Sequence, residues 1–180
     1  MKEAIILLGA PGSGKGTQAK ILAKRAGFEL YTMSDLIRRH IEPGSDLYEN
    51  VISKGLLLED EQVCDIFEKE FKGEDKVLLD GIPRKEYQAR WLHKFLDENE
   101  YDIKVLHLNV DKDGLLQRIL LRAEKEGRSD DKEEVFMKRL EIYNHMEGIV
   151  LAEFDHLITE VNGDGTVEEV SKEIEEKLGE

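Results

Sequence analysis

The stretch from Gly9 to Thr17, GAPGSGKGT, directly follows the apolar run Ala4-Ile5-Ile6-Leu7-Leu8 and leaves the chain few ways to fold. A short continuous apolar run suits a strand covered on both faces. The glycines then force a tight turn, and from Lys15 a helical pattern runs to Ala26. Gly12 and Gly14 leave backbone N–H groups able to wrap an anion with no Cβ in the way, and Ser13 lies between them. Lys15 adds a cation within reach, and the helix turns its positive end the same way. The spacing matches the phosphate-binding P-loop through Gly-Lys. One position departs from it: Gly16 stands where the common form has Ser or Thr, and the hydroxyl follows one residue later as Thr17. An ordinary glycine-rich turn requires neither the lysine nor this spacing. The segment reads as a nucleoside triphosphate site.

A chain of 180 residues, 40% hydrophobic and 37% charged, is expected to form one soluble globular domain. No apolar run approaches bilayer length and the N-terminus enters a strand almost at once, so neither a membrane span nor a signal peptide is expected. The lone Cys64 excludes an internal disulfide and a Cys-rich zinc site, and reads as a packed thiol in a cytoplasmic protein. A net charge of −14 argues against nucleic acid as the main partner. A bound polyanion therefore demands a local cluster of arginines within an acidic shell.

Strand-like runs recur at Ala4–Leu8, Glu29–Tyr31, Val77–Leu79, Val105–Val110 and His156–Val161. Helical patterns separate them: Lys15–Ala26, Asp35–Ile41, Asp46–Lys54, Asp60–Phe71, Lys85–Glu98, Lys112–Glu126, Lys132–Phe154 and Val167–Leu178. Thr166 with Glu169 makes a capping box for the last helix. The alternation predicts an α/β three-layer sandwich around a five-stranded parallel sheet, with ligands at the carboxyl ends of the strands. Residues 35–71 (helical, without a strand) and 123–131 (short and polar) read as an insertion and a lid. The core comprises 1–34, 72–122 and 132–180.

Asp80-Gly81-Ile82-Pro83-Arg84 closes the third strand. An acid there is placed to help hold Mg²⁺, directly or through water, and the Gly/Pro turn aims Arg84 back over the sheet. Arg118 and Arg122 share a helix face, while Arg128 and Arg139 follow the polar link. Planar guanidiniums suit the charge spread over a migrating phosphoryl group, although any one of them could serve only solubility. His40, His93, His107, His145 and His156 show no metal-ligand spacing, and Trp91 fits a packed helix face.

GAPGSGKGTQ at Gly9–Gln18, DGIPR at Asp80–Arg84, and the run from Arg118 to Arg139 with its EGRSDD link resemble the adenylate kinases and related nucleoside monophosphate kinases. The resemblance covers nearly the whole chain. It implies transfer of a γ-phosphoryl group from Mg-ATP to a nucleoside monophosphate, AMP in the first instance, by a monomer with a monophosphate-binding insertion and a short lid without structural zinc. Carried over by residue, Gly12, Ser13, Gly14, Lys15, Gly16 and Thr17 hold the ATP phosphates. Arg118, Gly163 and Gly165 lie at the ATP base. Arg38 and Arg84 grip the acceptor phosphate, near Gly81. Met33, Ser34, Leu57, Leu58 and Gln88 line the acceptor base, and Gln88 reads its adenine edge. Lys15, Arg84, Arg122, Arg128 and Arg139 serve the transition state, and Asp80 the magnesium. The chain departs from the family pattern at Thr32-Met33-Ser34-Asp35, where Ser-Thr-Gly-Asp is usual, and at Ile82, where phenylalanine is usual. Gln88 favours AMP over UMP or CMP, while Met33 fits neither group closely. A kinase of another small molecule and a nucleotide-dependent switch are the competing classes. The chain has no guanine-reading Asn-Lys-x-Asp, and neither class explains Gly16-Thr17, Gln88 and the Arg38/Arg84 pair together.

Overall fold

The computed structural model describes residues 1–179 apart from 112, 113, 116, 119, 120 and 122–132. Five parallel strands, β1 (Lys2–Gly9), β2 (Glu29–Thr32), β3 (Lys76–Asp80), β4 (Tyr101–Asn109) and β5 (Ile158–Asn162), form one sheet in the order β2-β3-β1-β4-β5. Among the described residues, α-helices α1 (Lys15–Ala26), α2 (Met33–His40), α3 (Asp60–Glu70), α4 (Glu86–Glu98), α5 (Glu133–Glu153) and α6 (Val167–Leu178) surround them. Gly114, Leu115, Gln117, Arg118 and Leu121 are also helical. The 123–131 link lies outside the described residues.

Side chains on β1 alternate between two cores, as a strand covered on both faces requires. Ala4, Ile6 and Leu8 join Val77, Leu79, Ile103 and Val105 beneath α2, α3, α4 and the end of α5. Ile5 and Leu7 join Leu78, Leu106, Leu108 and Val161 beneath α1 and α6. The three-layer sandwich expected from the sequence is therefore present.

Most element ends lie a residue or two from the periodicity reading, as for α2, which runs Met33–His40 rather than Asp35–Ile41, and three differences have a visible cause. β4 begins at Tyr101, because Lys2 and Glu3 of β1 extend the ladder to Tyr101 and Asp102, and it ends at Asn109 rather than Val110. His156 and Leu157 belong to a short 3₁₀ turn, so β5 starts at Ile158. Across Asp46–Lys54 a brief α-turn gives way to a π-turn at Tyr48–Ile52. Ser53 explains it: its hydroxyl takes the Glu49 carbonyl at 2.7 Å, and its backbone N–H bonds Tyr48 O at 2.9 Å instead. The Thr166–Glu169 capping box forms as expected.

Phe67 ties α3 to the sheet. It is fully buried and packs against Tyr31 and Phe71, with Trp91 and Phe95 meeting its ring edge-on at 6.0 and 5.8 Å. Cys64 on the same helix is buried, and that burial, with Asp60, Asp65 and Glu68 nearby, pushes its thiol up to about 12, as befits an inert packed cysteine. Phe67→Ala removes the centre of this cluster and is expected to cost about 3–5 kcal/mol of stability in urea unfolding.

Candidate active site

The turn after β1 is built from close approaches. A Cβ on Gly9 would lie 2.7 Å from the Leu108 carbonyl oxygen, and its φ of 147° is one that other residues avoid. Gly14 starts α1 in the left-handed region, with no side-chain cap and no acid in the first turn, so the positive helix end opens on the cleft. Lys15 folds back on this loop: Nζ donates to the Gly9 and Ala10 carbonyls at 2.6 and 2.9 Å and approaches Ser13 Oγ at 3.5 Å. Sequence reasoning gave no separate role to Gln18. It is buried, and its Nε2 donates to the Val167 carbonyl at 3.0 Å, locking α1 to the start of α6. Its signal was a polar residue on an otherwise packed helix face.

Asp80 ends β3 at 8% exposure. A Cβ on Gly16 would stand 3.6 Å from Asp80 Oδ2, so a longer side chain would reach the carboxylate. That is an ordinary contact distance, so Gly16 lies against Asp80 with no clash that forces a glycine there. Gly81, at φ 87°, comes closer to Met33. A Cβ there would lie 3.3 Å from Met33 Cβ and 3.4 Å from an Arg84 guanidinium nitrogen. Arg84 Nε donates to the Gly81 carbonyl at 3.1 Å. The guanidinium opens onto the cleft, yet the surrounding protein crowds it. That crowding pulls its pKa below the ordinary range, the nearby Arg139 adds to the effect, and Asp80 opposes it.

These groups line a cavity of about 950 Å³, at the upper end of the size usual for small-molecule sites. Gly12, Ser13, Gly14, Lys15, Gly16, Thr17, Arg118, Gly163 and Gly165 lie on its wall. So do Met33, Ser34, Arg38, Leu57, Leu58, Asp80, Gly81, Arg84, Gln88 and Arg139. Every described residue singled out from the sequence therefore meets in one cleft, and the expected basic cluster forms inside an acidic protein. Arg122 and Arg128 lie outside the described residues. Arg38 pairs with Asp35 at 3.1 Å on an exposed face of α2. Gln88 is 1% exposed, its amide held by the Arg84 backbone N–H and by Asp60.

Arg118 joins two loops of the cleft, donating to the Gly163 carbonyl at 2.8 Å and reaching Ser13 O at 3.4 Å. Gly163 itself bonds Asn109 O at 2.6 Å, and a Cβ on it would lie 2.5 Å from Val110 Cγ2. On the other side of the cleft, a Cβ on Gly55 would meet the Val135 carbonyl oxygen at 2.9 Å and Arg139 Cγ at 3.4 Å, so the 35–71 segment touches α5 there.

A polar network around the buried His107, beside the cleft, escaped the sequence reading. His107 on β4 contacts Glu160 on β5 at 2.9 Å, and its other ring nitrogen contacts the Tyr143 hydroxyl on α5 at 3.1 Å. Tyr143 donates to Glu147 at 2.5 Å, and burial with that bond raises its pKa. Tyr143 and Glu147 both line the cleft, so the network fixes the helix that carries Arg139. No local motif announces it, because its members lie on three separate elements.

Fold and cleft together define the class, an α/β P-loop protein of the kinase type. Residues 7–158 match the family described as "Adenylate kinase". The chain is 37% identical over 183 residues to an adenylate kinase of Thermus thermophilus, covering 98% of this chain and 97% of that protein. An adenylate kinase of Prochlorococcus marinus is 37% identical over 185 residues, covering 99% and 100%, and one of Caulobacter vibrioides is 38% identical over 183, covering 97% and 96%. This chain belongs to the adenylate kinase family, and it is a phosphotransferase.

Gly163→Ala forces Val110 or the Asn109 backbone to shift. A loss of about 1–3 kcal/mol is expected in urea unfolding, as for other overpacked sites.

Proposed function

We propose that this enzyme carries the γ-phosphoryl group of Mg-ATP to AMP, reversibly and in line, giving two ADP. The observation that carries the reading is one cleft whose wall includes both the phosphate loop and a second set of residues from α2, the 56–58 stretch and α4. A switch needs room for one nucleotide; this cleft has walls for two. The relatives, all adenylate kinases, favour AMP as the acceptor, and so does Gln88.

Gly12, Ser13, Gly14, Lys15, Gly16 and Thr17 hold the donor phosphates through backbone N–H groups, the lysine and the helix end. Arg118, Gly163 and Gly165 border the donor base. Arg38 and Arg84 grip the acceptor phosphate beside Gly81, and Met33, Ser34, Leu57, Leu58 and Gln88 surround the acceptor base. Magnesium bound with ATP neutralises phosphate charge. Asp80, whose carboxylate lies 3.6 Å from where a Cβ on Gly16 would stand, would sit beside such a hard cation, which takes its other oxygen ligands from phosphate and water.

Transfer then needs no covalent enzyme intermediate and no general base, since a monophosphate is already substantially ionised at neutral pH. Arg84, Arg122, Arg128 and Arg139 with Lys15 answer the charge that spreads in the transition state. Residues 35–71 close over the acceptor and 123–131 over the donor, excluding water as the competing acceptor. We assign the enzyme to the cytoplasm on its single cysteine and exclude nucleic acid as a main partner on its net charge of −14; the resemblance to small monophosphate kinases implies a monomer without a membrane partner. No helix among the described residues is long and apolar enough to cross a membrane.

A coupled assay with Mg-ATP against AMP, UMP, CMP, GMP and dTMP tests this, with Lys15→Met as the inactive control. Selective turnover of AMP, abolished by chelating magnesium, is expected. Preference for a pyrimidine would keep the mechanism and overturn the acceptor, while ATP binding without transfer to any of the five would overturn the kinase reading. Arg84→Ala is expected to lower kcat by about 10²–10³-fold, with its urea midpoint unchanged; wild-type kinetics would refute its role.

A further inference from the structure

Both ends of the Gln88 amide are committed within the protein. Its Oε1 accepts from the Arg84 backbone N–H at 2.9 Å, and its Nε2 donates to Asp60 Oδ1 at 2.9 Å. Neither partner tolerates the reverse arrangement, because a backbone N–H only donates and an ionised carboxylate only accepts. Chemistry therefore fixes which end of the amide is oxygen and which is nitrogen. Asp60 opens α3 and is not itself part of the cleft wall. The same Asp60 oxygen also faces Lys85, whose Nζ lies 3.4 Å away and donates to the Leu58 carbonyl at 3.2 Å.

An amide retains one further N–H and one further lone pair after these two bonds. Those two groups are what Gln88 can offer a ligand, and their order along the amide is set. A base presenting an amine hydrogen beside an unprotonated ring nitrogen, such as a 6-aminopurine, satisfies both at once. A 6-oxopurine presents an acceptor beside a ring N–H, the reverse order. To pair with it the amide would have to turn over, pointing its NH₂ at the Arg84 N–H and its oxygen at the Asp60 carboxylate. Two like-to-like contacts in a site this buried are costly.

We propose that Asp60 is a specificity-determining positioning residue, which locks the Gln88 amide in the orientation that selects 6-amino over 6-oxo purine monophosphates. The inference rests on the reading of AMP as acceptor. Gln88 touches the base; Asp60 acts through Gln88. An aspartate in the first turn of a helix also stabilises the helix end and pairs with a lysine, and a purely structural role would stop there.

The test variant is Asp60→Asn, which keeps the shape but replaces a one-way acceptor with an amide that can accept or donate. Binding of AMP and of IMP is measured by calorimetry, beside steady-state kinetics with AMP. The ratio of the IMP to the AMP dissociation constant is expected to fall about tenfold, the loss of one hydrogen bond to a charged group. KM for AMP rises, while kcat and KM for ATP change by less than about twofold. Lys85→Met breaks the ion pair and keeps the carboxylate, so its ratio is expected to remain that of the wild type. An unchanged ratio in Asp60→Asn, with AMP still bound, would overturn the role of Asp60. A fall of equal size in Lys85→Met would reduce it to helix and loop stability. Failure of the wild-type protein to bind AMP would instead overturn the acceptor reading itself.

Discussion

The position of β1 between β3 and β4 is the constraint on which the site depends. Parallel pairing aligns Leu7 with Asp80 and Gly9 with Leu108, so the ends of three strands arrive at one rim in fixed register. A slip of one residue would turn every buried side chain of β1 to the wrong core. It would also carry the phosphate loop away from Asp80 and from the loop at Gly163. The glycines at 9 and 163 follow from the same register. Each is small because the neighbouring strand end or its loop comes close: the Leu108 carbonyl for one, Val110 with Asn109 for the other.

Electrostatics are arranged around that rim. A protein of net charge −14 gathers Lys15, Arg38, Arg84, Arg118 and Arg139 on one wall. Taking such cations partly out of water disfavours their charged form: crowding by the protein lowers the pKa of Arg84, Arg139 adds to the effect and Asp80 opposes it. A phosphate anion among them acts in the opposite direction. Helix α5 brings Arg139 to this place because His107, Tyr143, Glu147 and Glu160 fasten it to the strands.

Most of this was legible in the sequence because its signals are local. Strand, glycine turn, lysine and helix lie within one short stretch, and the apolar runs of β1 and β3 are continuous. What stayed hidden depends on partners distant along the chain. The added length of β4 comes from its ladder with β1, where Asp102 and Lys104 mask the strand pattern. The π-turn turns on one serine hydroxyl competing for a carbonyl. Gln18, Asp60 and the His107 network read as unremarkable polar residues until the fold sets them against Val167, Gln88 and Tyr143. The arginines could be picked out as a class, whereas their convergence on one wall is a property of the sheet.

Lys15 has partners of its own within the protein, the Gly9 and Ala10 carbonyls. A phosphate that draws the ammonium away competes with those carbonyls. The net gain at that residue is the difference between two sets of hydrogen bonds, not the full strength of one. Where phosphate and carbonyl compete for the same N–H donors, the binding energy from that residue is moderated, and a moderated hold suits an enzyme that must empty its cleft on every cycle.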